Sequence, residues 1–375
     1  MKVAVLSTYA YAKEHENYGS ALQYFALQEF LRKNGYEACW IRYDPSVKKI
    51  ISTDNIKKLF SPKTVIRFVN NRIVKFGHKK YPRNFQDFFI SNLRLSERIY
   101  GDVNDLKQNY PDADVYIVGS DQVWTVANEI NFLDFGPPGV KKISYAASGA
   151  WQRLSHDWYV LAAKYLSGFS AISVREEQGL EHCKLAGICD AVSVLDPTFL
   201  LPASDYLNLT RNLSSDDDEV LLCYFLNIRR RSSLPWSELV NFSSSGGLKL
   251  KVIPLQGAES CIPKENLFIP NIPQWIKSFS SANCIVTNSF HGTVFSIIMK
   301  RPFLVVLQDG YTATENSRFI SILSKLGLEN RIYNSESSKS LRECMHEPID
   351  WDNVSMKLDY LRKTSADWLL ESLCQ

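Results

Sequence analysis

Short apolar runs alternate with stretches of helical periodicity along most of the chain, and this alternation restricts the fold more than any other feature. Val3 to Leu6 reads as a short buried strand, and Ala21, Leu22, Phe25, Ala26, Leu27, Phe30 and Leu31 recur at helical spacing. Gly35 ends that helix, and Ala38 to Tyr43 reads as a second strand. Further strands are predicted at Val115 to Val118, Lys142 to Ala146, Ala171 to Val174 and Ser193 to Leu195, with helices at Trp158 to Leu166 and Glu176 to Leu185. Such a pattern predicts an α/β fold with a mostly parallel, doubly wound sheet.

The polar run Ser214-Ser215-Asp216-Asp217-Asp218 interrupts the pattern, which then starts again. Strands are predicted at Val220 to Phe225, Leu250 to Ile253, Cys284 to Thr287 and Phe303 to Leu307, and helices near Pro273 to Phe279, Thr293 to Met299 and Arg318 to Leu326. Two Rossmann-like domains facing a cleft are implied, residues 1–205 and 218–350. A last helix in 351–375 is expected to pack back on the first domain, which also carries a basic helical insert at 48–95. The length of 375 residues suits two domains at about 150 residues each.

Several classes are set aside by composition. The apolar run at Met1 to Leu6 is too short for a secretory signal, and no stretch approaches the ~20 apolar residues of a membrane span, so a cytoplasmic protein is expected. The eight cysteines are scattered without a C-x-x-C pair, which predicts reduced thiols and no metal site. A net charge of +3 with no nucleic-acid motif gives no reason to expect nucleic acid. Between Lys48 and Arg83, however, eleven basic residues accompany one acid, Asp54, with apolar residues interleaved. Such a segment is either a solvated helix face or a surface for anionic lipid at the inner face of a membrane.

In open α/β sheets ligands sit beyond the carboxyl ends of strands, so residues that follow apolar runs are the candidates for a site. Asn17-Tyr18-Gly19 opens the first helix, where free N–H groups attract anions or a side chain simply caps the end. Val118-Gly119-Ser120-Asp121-Gln122 places three polar residues at a strand tip, for a ligand or for an Asx turn. Arg175 and Glu176 follow a third strand. Two acids there suit the helix dipole, while the guanidinium suits a carboxylate or phosphate as well as a salt bridge. Thr287-Asn288-Ser289-Phe290-His291-Gly292 places a histidine at a strand-to-helix switch, fit for proton exchange, beside a glycine that lets a ligand approach.

Taken together, these segments resemble the polysaccharide pyruvyl transferase family. The resemblance also rests on Ser144-Tyr145-Ala146-Ala147-Ser148, on Leu195-Asp196-Pro197-Thr198-Phe199 and on Lys300-Arg301-Pro302-Phe303, and it runs from residue 1 to about 330 in family order. It implies a fold similar to GT-B glycosyltransferases and a metal-independent reaction that needs no cofactor. In that reaction a pyruvyl group passes from phosphoenolpyruvate to a sugar, galactose-type and lipid-linked in many relatives, as a cyclic ketal of capsule or exopolysaccharide. Some relatives carry an arginine two residues before the histidine, where this chain has Ser289. Arg318, or else Arg301, is expected to supply that charge.

On this reading His291 is the acid, Arg175 grips the donor, and Asp121 or Glu176 orients or deprotonates a sugar hydroxyl. Asn17, Tyr18, Gly19, Ser120, Gln122, Ser289 and Gly292 complete the substrate site. A nucleotide-sugar glycosyltransferase on the same fold and a non-catalytic carbohydrate-binding member of an assembly complex are the alternatives.

Overall fold

Strands buried on both faces are apolar throughout, and the run Val3–Leu6 lies within a parallel sheet as that rule requires. The computed structural model describes residues 1–8, 16–45, 80–214, 219–228, 230–255, 257–308, 313, 316–334 and 339–374. Their first half contains β1 (Lys2–Leu6), α1 (Tyr18–Lys33), β2 (Glu37–Tyr43), α2 (Phe85–Asn92), β3 (Leu95–Tyr100), α3 (Val103–Asn109), β4 (Val115–Val118), β5 (Lys141–Ala147), α4 (His156–Tyr165), β6 (Ala171–Val174), α5 (Glu177–Leu185), β7 (Val192–Ser193) and α6 (Ala203–Asn208). The second half contains β8 (Val220–Phe225), α7 (Trp236–Ser245), β9 (Lys249–Pro254), α8 (Ile272–Ser281), β10 (Cys284–Thr287), α9 (Phe290–Ile298), β11 (Phe303–Val306), α10 (Asn316–Leu326), β12 (Ile332–Tyr333), α11 (Leu341–His346) and α12 (Trp351–Cys374).

Strand order is β3-β2-β1-β4-β5-β6-β7 in one sheet and β12-β11-β10-β8-β9 in the other. All pairs are parallel, as in two Rossmann-like halves. Each order reverses direction once, between β1 and β4 in the first sheet and between β8 and β10 in the second. Crevices for ligands open at such reversals. Asp121, following β4, and His291, following β10, therefore stand at the two places where topology provides room.

One apolar core runs through both halves. It joins Leu22, Phe25 and Tyr206 of the first to Tyr224, Trp275 and Phe295 of the second, and the Tyr206 and Phe295 ring centroids are 4.9 Å apart. Each fully buried Leu or Phe contributes about 1.5–3 kcal/mol, so the halves form a single packed body. Helix α12 leaves the second half and packs on the first. Arg362 donates to the Phe199 carbonyl at 2.6 Å, and Ser365 Oγ accepts from the Leu195 N–H at 2.9 Å. Lys141 Nζ reaches the Leu373 carbonyl at 3.0 Å.

The expected insert at 48–95 needs correction at its described end. There α2 places Phe85, Phe88 and Phe89 in the core, and β3 forms the edge of the first sheet. The basic run itself, up to residue 79, lies outside the described residues. Its last member, Arg83, is fully buried and faces protein rather than lipid. Among the described residues no helix is long and apolar enough to cross a membrane.

Candidate active site

The end of β4 is shaped by a glycine. Gly119 has φ +119, and a Cβ there would lie 2.1 Å from the Tyr145 carbonyl oxygen, so no other residue fits without a shift. The chain then turns through Ser120, whose N–H donates to Gln23 Oε1 at 3.2 Å, and Asp121, at φ 63. Ser20 in the first turn of α1 donates to Asp121 Oδ2 at 2.7 Å. The start of α1 and the tip of β4 are thereby tied into one surface.

Arg175, at the tip of β6, sits among three carboxylates. Its Nε donates to Glu176 Oε1 at 2.8 Å and its Nη1 to Asp196 Oδ2 at 2.8 Å, while Asp121 Oδ1 is 3.9 Å from Nη1. The guanidinium carbon also lies 4.2 Å from the ring centroid of Phe290 in the opposite half. Asp196 is anchored in turn by the Thr198 N–H at 3.0 Å and the Thr198 hydroxyl at 2.7 Å. Burial raises the Asp196 carboxyl, but His291, Arg175 and Thr198 outweigh it and hold the group well below the usual carboxylate range. Asp121 is lowered as well: burial opposes, and His291, Arg175 and Ser20 prevail.

Ser289 caps α9 by accepting from the Gly292 N–H at 3.3 Å, which starts the helix with His291 in its first turn. The imidazole is pressed between the halves. A Cβ on Gly19 would fall 2.0 Å from His291 Nδ1, and His291 Nε2 is 3.6 Å from Asp196 Oδ2, longer than a hydrogen bond. Two buried nitrogens beside the same carboxylate have no hydrogen-bond partner, Arg175 Nη2 and His291 Nε2. A hollow of about 10 Å³, room for about one water, lies beside Arg175 and is lined also by Glu176, Asp196, Phe290, Arg318 and Lys325. A larger hollow of about 140 Å³ near Val220, Lys251 and Lys277 opens by the first residue of β8, away from the strand tips.

Residues 17–310 match the sequence profile described as Polysaccharide pyruvyl transferase. The chain belongs to the polysaccharide pyruvyl transferase family. Comparison with curated proteins finds no match. Among solved structures, a UDP-GlcNAc 2-epimerase from Neisseria meningitidis is similar at TM-score 0.47 and 10% identity, over 100% of both chains. A putative UDP-N-acetylglucosamine 2-epimerase from Listeria monocytogenes is similar at 0.49 and 9%, over 99% of this chain and 95% of its own. The Methanocaldococcus jannaschii UDP-GlcNAc 2-epimerase is similar at 0.48 and 10%, over 100% and 99%. Likenesses this distant carry no weight for function.

Within this member of the family the expected site residues divide. His291, Arg175, Asp121, Ser120 and Gly19 come together around Asp196, Ser289 caps the helix that carries His291, and Arg318 lines the adjoining cavity. Gln122 is half-buried beside Asp121. Asn17 caps α1 by accepting from the Gly19 N–H at 2.9 Å.

Four expectations change. Glu176 is not poised as a base, because Ser148 and Arg175 occupy Oε1 and Trp151 occupies Oε2, each at 2.8 Å. Tyr18 is buried against the second half, with its hydroxyl donating to the Pro270 carbonyl at 2.6 Å. Gly292 serves packing rather than ligand approach, since a Cβ there would meet Thr287 Oγ1 at 2.3 Å. Arg301 precedes β11, at the amino ends of the strands and so at the far end of the sheet from His291, and donates to the Ser280 carbonyl.

Asp196 was missed as a site residue. The signal available was its place, an acid just beyond a strand that borders Arg175 in the same sheet. Among the described residues no group of three or more histidine, cysteine, aspartate or glutamate side chains is arranged to hold a metal ion.

Proposed function

We propose that the protein transfers a pyruvyl group from phosphoenolpyruvate to a galactose-type, lipid-linked sugar, forming a cyclic ketal of a surface polysaccharide. The observation that carries this reading is the pair of unpartnered buried nitrogens, Arg175 Nη2 and His291 Nε2, beside one carboxylate. Buried donors without acceptors are costly, and an oxygen-rich anion relieves both. Arg318, on the wall of the adjoining hollow, adds to the charge that a carboxylate and a phosphate in one molecule require, while Lys325 is paired with Glu177 at 2.7 Å.

The chemistry follows from the charges. His291 protonates the methylene carbon, and the cation left at the neighbouring carbon is attacked by one sugar hydroxyl. The carbon–oxygen bond to phosphate then breaks, and a second hydroxyl closes the ketal. Of the two hydroxyl protons lost, one replaces the proton taken from His291 and the other leaves on phosphate. Asp121, kept ionised, accepts a hydrogen bond from a sugar hydroxyl and orients it. Gln122 and Asn17 border the acceptor. No cofactor is required beyond the donor.

His291→Ala should lower phosphate release from phosphoenolpyruvate by about 10²–10⁴-fold with the unfolding midpoint unchanged. Near-normal turnover removes the assignment. Mass spectrometry of a lipid-linked acceptor should show the gain of pyruvate less one water. A cytoplasmic protein whose basic segment touches an anionic membrane should float with anionic liposomes and not with neutral ones, and equal recovery rejects that contact.

A further inference from the structure

The second arginine buried at the seam has no role in the transfer chemistry. Arg83, fully buried, donates from Nη1 to the Tyr18 hydroxyl at 3.1 Å and from Nη2 to the Pro254 carbonyl at 2.8 Å. The same Nη2 lies 3.3 Å from Glu259 Oε1, and Glu259 is itself held by the Gly257 N–H at 2.8 Å. Arg83 and Tyr18 belong to the first half, whereas Pro254, Glu259 and Pro270 belong to the second. Tyr18 stacks on Trp275 with centroids 5.4 Å apart and planes 12° from parallel. It is also the residue before Gly19, whose backbone bears on His291.

Apolar packing across the seam holds the halves together but is non-directional and tolerates sliding. A buried ion pair adds little net stability, because desolvation offsets attraction, yet it is satisfied at one relative position only. We propose that Arg83 and Tyr18 are positioning residues, a buried polar lock that fixes the register between the halves and so holds Gly19 against the His291 ring. The lock acts on the site through the backbone of α1 and goes beyond the choice of donor.

Hydrogen exchange measured by mass spectrometry on the full chain tests this without substrate. In Tyr18→Phe, and in the double variant Arg83→Met with Glu259→Leu, amides of residues 17–23 and 290–296 should exchange about tenfold faster, while residues 3–6 and 284–287 keep their protection. Phosphate release should fall about tenfold in both, and in the double variant it should do so with the unfolding midpoint held, as expected when geometry rather than fold is lost. Unchanged exchange at 17–23 and 290–296 overturns the proposal, and so does a uniform rise across both sheets. Should the double variant fail to fold, Tyr18→Phe decides. Because exchange needs no ligand, failure here is distinct from failure of the phosphoenolpyruvate reading.

Discussion

Arg175 and Arg83 are both buried where the two halves meet, and their surroundings differ in kind. Arg175 is ringed by Asp121, Glu176 and Asp196 and still has one nitrogen unpartnered. Arg83 faces a single carboxylate, a carbonyl and a phenol, and its Nε is likewise without a partner. The first setting carries a surplus of negative charge, to which Arg318 on the wall of the adjoining hollow adds a second cation. The second is close to balanced and serves fit. Burial of an arginine does not by itself mark a binding site; what matters is whether its neighbours are over-supplied.

The contrast is testable most strongly by removing a partner. Asp196→Ala strands Arg175 Nη1 in the interior and should cost about 3–5 kcal/mol in denaturant unfolding, whereas the apolar replacement of Arg83 and Glu259 should be nearly neutral. Equal losses would erase the distinction. Gly19→Ala forces the histidine ring or the helix aside, and a displacement near 1 Å should reduce phosphate release about 10²-fold; unaltered kinetics would mean that the contact is slack. Tyr18→Phe, which leaves an Arg83 donor unmet, should cost about 1–3 kcal/mol, read from the urea midpoint.

Acid provides the gentlest probe. A carboxyl lowered in the folded state contributes stability that is complete above its unfolded value of about 3.9 and fades as pH falls toward the folded value. The stability gap between the parent and Asp196→Asn should therefore narrow between pH 5 and pH 3, by at most about 1.4 kcal/mol per pH unit. A constant gap would mean that Asp196 does not carry the shift.

Much of the architecture was legible because strands of a doubly covered parallel sheet are continuous apolar runs; Val115–Val118 and Cys284–Thr287 coincide with their observed limits. β3 was missed because an edge strand exposes one side, and Leu-Ser-Glu-Arg-Ile-Tyr mixes polar with apolar residues. Strand tips drew attention to Asp121, Arg175 and His291, which the fold gathers beside Asp196. Arg83 looked like its lysine-rich neighbours, since its partners Pro254 and Glu259 lie more than 170 residues along the chain. Tyr18 likewise reads as part of a loop motif until Trp275 is folded beneath it.

Helix α12 follows the second half in sequence and rests on the first. A cut between β7 and β8 thus yields two pieces of which neither is self-contained: one lacks its covering helix, the other displays that helix's apolar side to water. Chimaeras of related enzymes that exchange the first half should carry residues 351–374 with it, because the boundary in space is crossed by the thread twice.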